Sequence, residues 1–148
     1  MSQHREYQKS KLYKWEDEVI RPRSPRTIKF EDAQTFVDGV WLCEGLLYPP
    51  KVQLMPVQAT TIYARGCREY IEIRPVTPAW IIIHELAHTM TMEVYTGGHE
   101  AAHGADYLGI YIKLLDKYCG IPLALSMYSL TQTKLKYNLA AQPVFVGA

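Results

Sequence analysis

In WIIIHELAH, residues 80–88, an apolar run leads into His84 and His88, four positions apart, with Glu85 directly after the first. On a helix, positions i and i+4 share a face, so both imidazoles can reach one metal ion. Glu85 lies about 100° round the same helix, where it can touch a water beside the ion without binding the ion itself. Zinc held in this HExxH pattern polarises a carbonyl and brings the pKa of its water toward neutrality. The glutamate then takes the proton and passes it to a leaving amine. The chemistry expected is metal-assisted hydrolysis of an amide, with His84 and His88 as ligands of one Zn2+ and Glu85 as general base and acid.

A catalytic zinc normally has three protein ligands and an open position. Candidates for the third are Glu93, His99, Glu100, His103 and Asp106. The compact HExxHxxGxxH pattern is excluded, because Val94 stands where its last histidine would fall. His99 and His103 are again four apart, but Gly97-Gly98 and Gly104 predict a turn there rather than continuous helix. His99, Tyr95 and Tyr107 are also candidates for donating a hydrogen bond to a developing oxyanion.

The elements that must position these groups are partly readable. Residues 29–47 have helical spacing, with Phe36, Val40, Cys43 and Leu47 on one stripe and Val37, Trp41 and Glu44 on the next. Three short β-like runs follow, VQLMPV (52–57), TTIYAR (60–65) and REYIEIR (68–74). The last alternates Ile71 and Ile73 against Tyr70, Glu72 and Arg74, and Gly66-Cys67 offers a hairpin turn before it. Thr77 and Pro78 predict the start of the histidine helix, Gly97-Gly98 its end beyond Tyr95, and a further helix spans about residues 104–118 before Gly120 and Pro122. A short helix over 123–131 completes the elements.

HELAH followed by GGHEAAHGADYLGIYIKLL resembles the SprT-like zinc metalloproteases, in which HExxH precedes a loop and an HGxxF or HGxxW segment opening the next helix. His103-Gly104-Ala105-Asp106-Tyr107 matches that segment with Tyr107 at the aromatic position. The resemblance, over about residues 68–119, implies a minimal zincin-like α+β domain in which an N-terminal helix packs on a small, mostly antiparallel sheet, with REYIEIR as the sheet edge beside the metal. It implies His103 as third ligand; the HGADYLG segment also resembles families in which Asp is the third ligand, which makes Asp106 the runner-up. The whole chain also resembles a group of small HExxH proteins of bacteria and their phages, through Trp15-Glu16-Asp17 and Pro143-Val144-Phe145. The cysteine-rich zinc ribbon that often follows an SprT-type core is absent, as Cys119 is the only cysteine after the motif.

With 148 residues, 48% of them hydrophobic, the chain is expected to form a single domain spanning 1–148. Cys43, Cys67 and Cys119 have no disulfide-framework or CxxC spacing. The polar opening MSQHREYQKSKLYK lacks the apolar core of a signal peptide, and no run approaches the roughly 20 apolar residues of a membrane span. A cytoplasmic protein without a membrane partner is therefore expected. Net charge is only +1, which argues against nucleic acid as a main partner. Residues 1–30 nevertheless hold eight of the 16 Lys and Arg against four of the 15 Asp and Glu. Residues 1–28 are accordingly expected to include a loosely ordered basic arm capable of weak phosphate contact. The leading function is a zinc metallopeptidase acting on a peptide or protein. The rivals are a zinc amidase of cell-wall or other small amides, and a non-catalytic binding or assembly module stabilised by zinc.

Overall fold

A helix that is apolar on nearly every side must be surrounded, and α3 (Ala79–Met90) meets that condition. Trp80, Ile81, Ile82, Ile83, Leu86, Ala87 and Met90 are all buried. The structure, a computed structural model, describes residues 2–56, 64–91 and 103–143. Among these the elements form an α+β arrangement with α3 at its centre.

One side of α3 packs against α4 (Ala105–Cys119), whose face of Tyr107, Leu108, Tyr111, Ile112, Leu114 and Leu115 is buried. Gly120, with φ of 68°, ends that helix in the left-handed conformation that glycine adopts without penalty. Helix α5 (Leu123–Gln132) packs on α4 in turn. The segment after α5 crosses α4 so closely that a Cβ on Gly109 would lie 1.8 Å from the Asn138 carbonyl oxygen.

The other side of α3 meets two small sheets. Strand β2 (Lys51–Leu54) pairs in parallel with β4 (Tyr70–Ile73), and β3 (Ala64–Gly66) pairs antiparallel with β4 in the order β2-β4-β3. The expected edge role of REYIEIR is thus corrected, because β4 is central. Ile71 and Ile73 are fully buried, but that alternation reports only which face of the strand is covered and not which strands lie beside it. The second sheet pairs β1 (Thr27–Lys29) with β5 (Val76–Pro78) antiparallel. Thr77 therefore does not cap α3: its Oγ1 instead meets the Arg74 backbone, and the helix begins at Ala79.

Helix α2 (Phe30–Cys43) is shorter than its expected span and buries Ala33, Val37, Val40 and Trp41, leaving Cys43 exposed. The buried face is therefore turned toward the second of the two stripes. Its hold on the sheet is partly polar, since Gln34 accepts from the Val52 amide and donates to the Pro50 carbonyl.

The N-terminal segment departs most from expectation. Residues 2–23 are helical: α1 (Ser2–Trp15) runs into a π-helical turn (Glu16–Ile20) and a 3-10 turn (Arg21–Arg23). Leu12, Trp15 and Ile20 are buried in the core, each contributing about 1.5–3 kcal/mol by burial. Trp15 also donates its indole N–H to Ser129 Oγ at 2.8 Å. Among the described residues no helix is long and apolar enough to cross a membrane.

Candidate metal centre

Helix α3 presents His84 and His88 on one face, as their spacing requires. Their ring centroids lie 5.0 Å apart. The first turn before α4 brings His103 against both, at 5.5 Å from His84 and 4.6 Å from His88. One ring nitrogen from each of the three lies within 4.8 Å of the others, and His88 Nε2 is 3.0 Å from His103 Nε2. Ligand nitrogens about 2.0–2.1 Å from a tetrahedral zinc stand roughly 3.3 Å from one another, so small ring movements place all three on one ion. The donor set also suits zinc, as three imidazoles leave a fourth position open.

The surroundings hold these rings in place. Tyr107, a candidate oxyanion donor by sequence, stacks on His88 at 4.3 Å and 22° and donates its hydroxyl to the His84 carbonyl at 3.0 Å. It is fully buried and committed to the helix backbone. Asp106, the runner-up ligand, is exposed and accepts from Asn138 Nδ2 at 3.0 Å, away from the cluster. Glu93, Tyr95, His99 and Glu100 lie outside the described residues.

The largest addition to the expected site comes from the N-terminal segment. Glu16, only 3% exposed, places Oε2 2.5 Å from His84 Nδ1 and accepts the Tyr111 hydroxyl at 2.6 Å. Tyr13, one turn earlier, lies edge-on to His103 at 5.9 Å and 6.2 Å from His84. Among the described residues its hydroxyl makes no hydrogen bond. The sequence held one signal for Glu16, its place in Trp15-Glu16-Asp17, and none for Tyr13 or Tyr111.

Electrostatics separate the three histidines. Burial, reinforced by the charges of His84 and His103, drives His88 well below its usual pKa. Burial, with His84 and Lys9, lowers His103 to about 3. Both rings are therefore neutral at pH 7, the form in which an imidazole can bind a metal. Burial would lower His84 too, but the charge and hydrogen bond of Glu16 outweigh it and hold the ring above its usual value, with Glu85 acting in the same sense. Glu85 itself is pushed up by burial and by Glu16 against the opposing pull of His84. Tyr13 rises to about 12 through burial and the two carboxylates Glu16 and Glu85.

A cavity of about 390 Å³ opens beside His84 and Glu85, with Tyr13, Ala64, Trp80 and Ile81 among its walls and Lys9, Asp17 and Arg21 nearby. Arg21 is held by Asp17 at 3.1 Å and lies 5.3 Å from the Trp80 ring centroid. A volume of this order accommodates a small molecule or one or two residues of a chain. No family model, no curated protein and no solved structure matches the chain, so what the site can do is read from its own residues.

Proposed function

We propose that the chain is a zinc-dependent hydrolase of the SprT-like, zincin type, cleaving a peptide bond. The observation that carries this reading is that Glu85 borders a substrate-sized cavity beside His84, whose ring joins those of His88 and His103. His84, His88 and His103 would hold the ion. Zinc bound there supplies Lewis acidity, polarising the substrate carbonyl and rendering a water acidic.

Glu85 takes the proton of the attacking water on its carboxylate and delivers it to the leaving nitrogen. Tyr13, protonated at neutral pH and without another partner among the described residues, is placed to donate toward the oxygen on which negative charge grows. An extended substrate would lie along β3, whose pairing among the described residues is with β4 alone and whose Ala64 lines the cavity. The Arg65–Glu72 ion pair ties that strand to β4.

The test is digestion of a library of unstructured peptides by zinc-loaded protein, with new termini read by mass spectrometry beside Glu85→Gln. Cleavage that falls at least about 100-fold in Glu85→Gln, with zinc still bound, is the expected result. If the wild type cuts no peptide but releases amine from a cell-wall peptide or a small amide, the amidase reading replaces this one. If Glu85→Gln retains the biological function in full, the chain is a binding module.

A further inference from the structure

A buried carboxylate beside a histidine of a candidate metal centre requires a physical reason, because removing it from water is costly unless it is paired and hydrogen-bonded. Glu16 is held through one oxygen, Oε2, by two contacts from different elements, His84 Nδ1 on α3 at 2.5 Å and the Tyr111 hydroxyl on α4 at 2.6 Å. The backbone is shaped to deliver it. At Glu16 the α-helix widens into a π-helical turn, closed by the Arg21 N–H donating to the Glu16 carbonyl, and such turns recur at functional sites. The preceding residue is pinned by the Trp15–Ser129 hydrogen bond.

We infer that Glu16 is a positioning residue for the metal: it fixes a proton on His84 Nδ1, and so directs the Nε2 lone pair toward the ion shared with His88 and His103. Tyr111 holds the carboxylate in line. A carboxylate accepting from the far nitrogen of a ligand imidazole selects the tautomer, sets the ring plane and increases the electron density available to the metal. Losing such a partner typically weakens metal affinity by about 10–100-fold. The inference rests on the metal centre proposed above and is independent of turnover.

Zinc affinity is measured on the full chain by competition with a chromophoric chelator, using Zn2+ alone, for wild type, Glu16→Gln, Glu16→Asp and Tyr111→Phe. Co2+ absorption reports ligand geometry, and nitrogen-15 shifts of the zinc-loaded wild type report which His84 nitrogen carries the proton. Expected are a loss of at least about tenfold in Glu16→Gln, a smaller loss in Tyr111→Phe, an altered Co2+ spectrum in both, and partial recovery in Glu16→Asp. The wild-type proton is expected on Nδ1.

Wild-type zinc affinity in a folded Glu16→Gln overturns the inference and leaves the metal centre standing. A proton found on Nε2 of His84 in the zinc-loaded wild type overturns it without any variant, and so covers the case in which Glu16→Gln fails to fold. A wild type that takes up no zinc removes both the centre and the inference.

Discussion

Two glutamates, each directly following a helix, reach to the same face of α4 and have opposite characters. Glu16 follows α1 and accepts from Tyr111, while Glu44 follows α2 and accepts from Tyr118 at 2.7 Å, two turns further along. The second partner differs. Glu16 faces His84, with both side chains below 10% exposure, whereas Glu44 faces Lys117 at 2.9 Å, whose side chain is 55% exposed. A lysine at the surface completes a clasp between two helices and has nothing further to offer. A buried imidazole has a second nitrogen, so the same clasp also sets where that nitrogen points.

The contrast is sharpest in stability. Glu16→Ala leaves a buried ring and phenol without their acceptor and is expected to cost about 3–5 kcal/mol in the metal-free chain. Glu44→Ala, which removes the acceptor of Tyr118 and the partner of a mostly exposed lysine, should cost about 1–2 kcal/mol. Denaturant midpoints measure both, and equal losses would erase the distinction between the sites.

Acid offers the next separation. His88 and His103 titrate lower in the folded chain than in the unfolded one, so below about pH 6.5 the unfolded state binds more protons and stability declines toward their folded pKa values. His84 works in the other direction: its stabilisation is complete below the unfolded pKa and is lost as pH rises through the folded one. A fall in the Tm of the metal-free protein on the order of 5 °C is expected from pH 7 to pH 5, and His103→Asn should flatten it. An unchanged slope in that variant would mean that His103 is not buried neutral beside the others.

Smaller effects refine the picture. Tyr111→Phe, which strips a buried carboxylate of one donor, should cost about 1–3 kcal/mol against about 0.5–1.5 kcal/mol for Tyr118→Phe. Raising salt to 1 M should weaken the Lys117–Glu44 link by a few tenths of a kcal/mol and leave Glu16–His84 nearly untouched, a difference readable by repeating the glutamate variants at both ionic strengths.

What could be read in advance follows the range of the interactions. His84, Glu85 and His88 declare themselves within five residues, and α3, α4 and α5 were visible in their apolar spacing and in Gly120. His103 needed the resemblance of its HGxxY segment, since spacing alone left five candidates. Helix α1 was missed because its sequence is mostly polar, with Leu12 and Trp15 the apolar side chains it buries among the described residues. Strands β1 and β5 are three residues each, too short for a period to emerge, and Pro78 disguises the second. Which strand is central depends on pairing partners that no local pattern of REYIEIR contains. Glu16 sits between Trp15 and Asp17 in a charged stretch that gives no sign of its burial, and its imidazole partner lies 68 residues on.

That separation governs the order in which the centre can be made. At a synthesis rate of about 5–20 residues per second, His84 is added roughly 3–14 s after Glu16, and Tyr111 later still. HELAH on a growing chain therefore has its histidine pair before His103 has been added and before α1 and α4 can close on it. Early zinc would be held weakly and released, and tight loading would coincide with completion of the fold. Were zinc the occupant, its uptake would mark the moment at which α1 docks against α3 and α4.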